Sequence, residues 1–593
     1  MIEKPLFLLH FMKLEMKKTA LLTCVALLQA CSSNSSNDTN AHNNVIEPTQ
    51  VLSSNSSDQQ RRKLSTKQLR DDVLAANKNN IHVSMFLSNI DAHTAAAHDG
   101  KSLHENDVIA VNEHQLMNPA STMKLVTTSS ALGLLDLTYQ SQTSIWIEPQ
   151  KHAETPDVLQ GPVYLKGQAS AAFDRGQLLQ LLEQLWLRGY RHLPEGVVFD
   201  RAFFQPLRED LTAPAFDETP LALYNLIPDS LLFDEGIQRI LLRSDERSLR
   251  IALAPVLHNV DIDTSHVMIK GKCGQWRYPG QLTWQWVSFN RSTASSDAKV
   301  AELSTRGQTT KPSPYARLIV RGHFPANCQQ HVFAPWFDRD DQLALIIAQS
   351  WQQLGGTFGL GKSTTAPISR SAAVPSNAIQ IAALPSIALT EWIRRINKYS
   401  DNPLARSLFM TLGQSCLSKK SRNDALDDST TDELATSTSQ SASTPSSKQC
   451  ATAQIFEYLS AKGIDPSGIV LENGSGLSRQ ERISAKQLAD IIVMAYQQPT
   501  SAEFVSSLPI AGKDGTMKRR LSQPCLAGRL RLKTGSLRNV TSIAGLYLPP
   551  TGSPHVLVIM INGSMSNNNA RQLIDQWLWQ YLAPMTPECN NAK

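Results

Sequence analysis

The chain of 593 residues lacks several features, and each absence closes off a class of function. No dense run of Lys and Arg interleaved with aromatics occurs. The 57 basic and 52 acidic residues are scattered throughout and leave a net charge of only +5. A nucleic-acid surface is therefore not expected, and only a mild bias towards an anionic polymer remains. Neither a C-x-x-C pair nor an H-E-x-x-H helix is present, which removes the common zinc patterns. The apolar stretch from Thr19 to Ala30 is too short to serve as a mature membrane span. No internal repeat is present, so a repeat array is excluded.

What is there is a globular composition, 41% apolar, over a length that calls for more than one core. Met16-Lys17-Lys18 begins a basic segment, and Thr19 to Ala30 follows as the apolar part of a secretory signal. Met1 to Glu15 then forms an upstream start or an extended basic region. The signal ends Leu28-Gln29-Ala30-Cys31-Ser32, which resembles the bacterial lipobox and makes Cys31 the expected lipidation site. Ordinary cleavage near Ala30 is the alternative. Residues 1–30 are thus read as a lipoprotein-type signal peptide and 31–64 as a disordered tether of Ser, Asn, Asp and Thr.

Of eight cysteines, Cys24 lies in the signal and Cys31 at the lipid site. The other six fit disulfides of an oxidising compartment. Pairing by proximity joins Cys273 to Cys328, Cys416 to Cys450, and Cys525 to Cys589, but other connectivities stay open. Between Cys416 and Cys450 lies a second low-complexity stretch, 418–448, read as a solvated loop closed at its base.

His82 to Leu87 and Asp107 to Val111 read as strands joined through an Asp99-Gly100 turn. Pro119 opens a helix running through Leu135, with Met123, Val126, Leu132 and Leu135 on its buried face. Strand-like and helical pieces mix between Thr138 and Val374. Helices are expected over Leu389 to Asn397, Ala451 to Lys462, Ala485 to Gln497 and Ala570 to Leu582, and strands over Leu530 to Ser536, Ile543 to Leu548 and His555 to Ile561.

Three short motifs fall in order along this pattern. In Ser121-Thr122-Met123-Lys124, helical spacing puts Ser121 and Lys124 on one face, giving a nucleophile and a general base at the helix N-terminus. Burial beside a second cation, for which Lys533 is the natural choice, would lower the lysine pKa towards neutrality. In Ser400-Asp401-Asn402, a loop between two helices can aim Ser400 into a cleft as a proton relay, with Asn402 holding the lysine or the substrate backbone. In Lys533-Thr534-Gly535, an edge strand offers the lysine and threonine to a terminal carboxylate, and Gly535 allows close approach. The backbone amides of Ser121 and Ser536 would form an oxyanion hole. Alone, each motif is weak. S-x-x-K recurs at Ser296 to Lys299 and S-x-N at Ser566 to Asn568, and a capping serine or an exposed strand explains any one of them.

Together the motifs resemble the S-x-x-K, S-D-N and K-T-G set of the penicillin-recognising serine hydrolases. More narrowly, the chain is similar to the D-alanyl-D-alanine carboxypeptidase/endopeptidases of the DacB family, the low-molecular-mass class C penicillin-binding proteins. Pro119 to Thr127, Glu472 to Arg479, Asp514 to Met517 with Arg520, and Lys533 to Leu537 carry the resemblance. It implies an α/β (α+β) transpeptidase-like domain, a central antiparallel sheet flanked by helices, split into 65–137 and 380–593 by smaller domains inserted over 138–379. It implies an acyl-enzyme on Ser121, formed with peptidoglycan stem peptides or with β-lactams, and no metal or cofactor. An outer-membrane lipoprotein of a bacterial periplasm follows if Cys31 is lipidated. Asn473 stands where the family usually has Asp, and Gly167-Gln168-Ala169-Ser170 replaces an expected glycine-and-acid turn. A β-lactamase-like hydrolase on the same fold and a non-catalytic cell-wall-binding lipoprotein are the alternatives. The first lacks a clear glutamate for a deacylating water, and the second would not need all the reacting groups.

Overall fold

A computed structural model describes residues 66–77, 80–99, 108–150, 155–214, 216–288, 315–358, 370–417 and 445–590. The signal segment, Cys31, the tether, the Ser296 motif and residues 418–444 of the low-complexity stretch lie outside the described residues. Among the described residues no helix is long and apolar enough to cross a membrane.

The site rests on a five-stranded antiparallel sheet in the order Leu530–Leu537, Val540–Tyr547, His555–Gly563, Ile81–Asn89, Val108–Val111. Strands from early and from late in the described residues thus share one sheet. Successive side chains on a strand face opposite ways, and both faces here are apolar. Phe86, Ala544, Val558 and Met560 pack into a core with Leu125, Val126, Trp392, Phe409 and Ile492 from the helices on one side. Met85, Leu87, Ile543, Leu557 and Ile559 pack on the other side with Ile574, Trp577 and Leu578 of the helix Asn567–Leu582. The result is a helix–sheet–helix sandwich, mixed α/β with an antiparallel sheet as expected.

One local expectation changes and one segment is added. The first two strands do pair, and a helix, Ile90–Asp99, follows the first of them, while Gly100 of the expected Asp99-Gly100 turn lies outside the described residues. The Ala-rich run of this segment favours helix. The serine helix starts as a 3-10 turn, Ala120–Met123, and continues as the α-helix Lys124–Leu134, buried on every side from Lys124 to Leu132. An all-round buried helix is hydrophobic or carries satisfied polar groups. Here Thr127 bonds to the Gly474 carbonyl at 2.7 Å, Thr128 back to the Lys124 carbonyl at 2.8 Å, and Ser129 back to the Val126 carbonyl at 3.2 Å.

Residues from Gln142 onward build separate sheets around a second core. One is five-stranded and ends on Ile379–Pro385, which pairs with Gln142–Ile147. Two three-stranded sheets follow, one linking Ile237–Ser244 to Leu249–Ala254 and Gln329–Pro335, the other grouping Val260–Ile269, Leu282–Ser288 and Ala316–Phe324. Disulfides join Cys273 to Cys328, Cys416 to Cys450 and Cys525 to Cys589, the pairing by proximity.

Candidate active site

Ser121 sits in a turn whose backbone is fixed from several directions. Ala120 adopts φ 47°, a left-handed conformation that a β-carbon disfavours. The surroundings hold it there. Asn118 Oδ1 accepts from the Ala120 amide at 2.9 Å, Asn118 Nδ2 donates to the Ser478 carbonyl at 2.8 Å, and Asn562 pairs with the Asn118 backbone in both directions. Two glycines press on the same turn. A β-carbon at Gly476 would stand 2.8 Å from Ser121 Cα, and one at Gly535 would stand 2.6 Å from the Pro119 carbonyl and 3.0 Å from the Ser121 amide nitrogen. The close approach that Gly535 permits is therefore to the nucleophile's own turn.

Lys124 is fully buried behind Ser121. Its Nζ donates to Ser121 Oγ at 3.0 Å, to Asn402 Oδ1 at 2.6 Å, and to the Ser475 carbonyl. Burial disfavours the ammonium and lowers the pKa to about 7, against the raising pull of Glu481 and Asp401. Arg406 assists burial, and Lys533, the cation to which the sequence points, is electrostatically coupled to Lys124 as well. Lys533 is itself buried, and burial followed by the Lys124 charge drives its pKa well down.

The second motif lies between two helices. Ser400 ends the helix Leu389–Tyr399 in a left-handed conformation, φ 59°, and receives a bond from Lys533 Nζ at 2.8 Å. Asp401 caps the next helix, Asn402–Leu412, by accepting from the Leu404 amide at 2.9 Å. Asn402 Nδ2 donates at 3.0 Å to the carbonyl of Tyr224, a residue from the region between the first two motifs. That contact leaves Oδ1 for Lys124. Arg406, one turn on, donates to the Leu226 carbonyl at 3.2 Å, so the 224–226 segment lies along this helix. The recurrent S-x-N at Ser566 is simply an N-cap, its hydroxyl accepting from the Asn569 amide.

The third motif is the outer edge of the main sheet. Lys533 and Gly535, two residues apart, share the face against Ser121 and Ser400, while Thr534 and the exposed Ser536 take the other. Thr534 Oγ1 donates to Thr516 Oγ1 at 2.9 Å. Lys398, just before Ser400, donates to Asp514 at 2.6 Å and ties the second motif to the loop ahead of the third. Ser121, Lys124, Ser400, Asn402, Lys533 and Gly535 thus meet in one place, while Thr534 and Ser536 stand on the other face of the same edge strand. Beside Ser400 to Asn402 opens a cavity of about 260 Å³ whose far wall includes Ala169, Ser170, Leu226 and Ile237. The departure noted at Gly167 to Ser170 therefore borders the cleft. Sequence reading missed Asn118, Tyr224, Ser475, Glu481 and Asn562, which act through carbonyls, amides or charge at long range. Only the phrase Glu472 to Arg479 carried a local signal for any of them.

A sheet with helices on both sides, an S-x-x-K serine at its edge, and S-D-N and K-T-G converging on that serine define a penicillin-binding serine enzyme. A model of the D-Ala-D-Ala carboxypeptidase 3 (S13) family matches residues 96–438 and 418–581, and the chain belongs to that family. It is 22% identical over 492 residues to D-alanyl-D-alanine carboxypeptidase DacB of Haemophilus influenzae, covering 82% of this chain and 88% of that one. A D-alanyl-D-alanine carboxypeptidase of an Actinomadura species is 32% identical over 114 residues, 18% of this chain and 21% of the relative. The crystal structure of penicillin binding protein 4 (dacB) from Haemophilus influenzae shares the fold, with a TM-score of 0.60 and 19% identity over 87% of this chain and 97% of that one.

Because Gly535 abuts the Ser121 turn, Gly535→Ala is expected to slow covalent labelling by a fluorescent penicillin by about 100-fold, since a displacement of this kind misaligns reacting atoms. Circular dichroism is expected to show the fold retained. An unchanged labelling rate would refute the close-approach role.

Proposed function

We propose that the protein is a serine D-alanyl-D-alanine carboxypeptidase and/or DD-endopeptidase acting on peptidoglycan stem peptides, and that β-lactams acylate the same serine. The observation that carries this reading is Lys124 Nζ 3.0 Å from Ser121 Oγ with its other directions filled. A neutral amine has two N–H donors and one lone pair. Asn402 Oδ1 and the Ser475 carbonyl take the donors, which leaves the lone pair for the Ser121 proton. Ser121 attacks the D-alanyl carbonyl, and its backbone amide with that of Ser536 receives the developing oxyanion. Ser400, joined to Lys533, relays the proton to the leaving amine. Lys533 and Thr534 hold the terminal carboxylate, whose charge favours the ammonium form of Lys533 and offsets the effect of burial. Water then repeats the attack and releases Ser121.

The relatives' names as carboxypeptidases support the substrate class, and a β-lactam complex of the Haemophilus penicillin binding protein 4 supports the inhibitor class. We further propose a periplasmic enzyme held to the outer membrane through lipidated Cys31, on the strength of Leu28 to Ser32.

Ser121→Ala is expected to abolish labelling by a fluorescent penicillin without lowering the melting temperature, and to abolish release of products from cross-linked peptidoglycan fragments. In wild-type digests read by mass spectrometry, loss of one alanine from pentapeptides identifies carboxypeptidase action, and conversion of dimers to monomers identifies endopeptidase action. Covalent labelling without either product would support the alternatives. Because Lys124 must be neutral to accept a proton and its pKa is held near about 7, acylation is expected to rise as pH passes upward through about 7. A rate flat from about pH 5.5 to 8.5 would remove Lys124 as the base. Cys31→Ser is expected to move the protein from the membrane fraction to the periplasmic fraction, and unchanged partitioning would sink the anchor.

A further inference from the structure

Glu481 is completely buried, although nothing in its sequence position marks it. It follows the loop 472–478, and its Oε1 accepts from the Asn473 amide at 3.3 Å. Its Oε2 is equally buried, and the Glu472 backbone amide also acts on the carboxyl. A carboxyl so placed holds its proton more tightly unless a cation compensates its charge. That cation is Lys124. Among the charges acting on Lys124, Glu481 is the largest, ahead of Asp401, with Arg406 opposing, and Glu481 in turn feels Lys124 and the exposed Glu472. A second, mechanical path joins the two. Glu481 holds the Asn473 backbone, Asn473 Oδ1 accepts from the Ser475 amide at 3.0 Å and from Ser475 Oγ at 2.7 Å, and the Ser475 carbonyl receives Lys124.

We propose that Glu481 is a positioning residue for acyl transfer: its buried carboxyl sets the charge state of Lys124 and, through the 472–478 loop, fixes the direction of the lysine amine. This rests on the reading of Lys124 as the base. When Ser121 loses its proton to Lys124, a bond breaks at Oγ–H and one forms at Nζ–H, and an ammonium is created in a buried space. A carboxylate on Glu481 stabilises the new charge through the electrostatic coupling of the two groups. Burial raises the Glu481 pKa to about 7, beside Lys124 at about 7, so the two titrate as a pair with shared apparent values. Lys533, Asp401, Arg406 and Glu472 complete the set of charged groups around the pair.

The test is the pH dependence of the second-order rate of acylation by a fluorescent penicillin, measured on the purified chain. Glu481→Gln keeps the acceptor for Asn473 and removes the charge. Its acidic limb is expected to move to lower pH by roughly one unit, because an opposite charge within reach holds a lysine pKa up by about that much or more. Glu481→Asp keeps the charge and is expected to leave the limb near its wild-type position. A folded Glu481→Gln protein with an unmoved limb overturns the proposal. Should the variants fail to fold, carboxyl NMR of wild type and Lys124→Met decides the matter. The Glu481 midpoint is expected to rise when the lysine is removed, and an unchanged midpoint overturns the coupling. Failure of the underlying reading looks different: Lys124→Met would then be acylated at the wild-type rate.

Discussion

The structure is arranged around one unfavourable act, the removal of a lysine amine from water. Lys124 has no exposed surface, and the free energy of burying it is recovered through neutralisation and through partners supplied by its own helix and by two distant segments. Ser121 comes from the turn that opens its own helix, Asn402 from the first turn of the helix Asn402–Leu412, and Ser475 from a loop after the low-complexity stretch. Any arrangement of the halves that separates these segments strands the amine. The chemistry and the tertiary contacts are therefore stabilised by the same bonds.

The second constraint is steric. Ala120 and Ser400 both occupy left-handed backbone regions at the reacting centre, which costs of order 1–3 kcal/mol each. The cost is met by the surrounding core and by direct backbone packing at Gly476 and Gly535, where a side chain has no room. Strain is thus held next to rigid sheet and helix, so the serine and its partners keep their positions before any substrate arrives.

Much of this was legible in the sequence because the motifs are local and their periods are strong. The helix Ala485–Gln497 and the strands Val540–Tyr547 and His555–Gly563 follow directly from apolar patterning and caps. The three motifs lie where chain order and spacing put them, and the proximity pairing of cysteines is the one found. What escaped were interactions with no spacing of their own. Glu481 reads as one more polar residue after Arg479, and only burial reveals it. Tyr224 acts through its carbonyl, which no side-chain pattern encodes. The helix Ile90–Asp99 between the first two strands escaped as well, although its Ala-rich run favours it.

The carbonyl of Tyr224 that receives Asn402 has a bearing on how separable the parts of this chain are. A carboxamide has a donor end and an acceptor end of nearly equal shape, and nothing internal to it selects which faces a neighbour. Tyr224 makes that selection from outside the motif. If the stretch carrying Tyr224 were excised, the asparagine would be free to present its NH₂ to an amine that is itself a donor. The intervening region is therefore not an ornament that can be trimmed or exchanged as a module: it completes the polarity of the centre it surrounds.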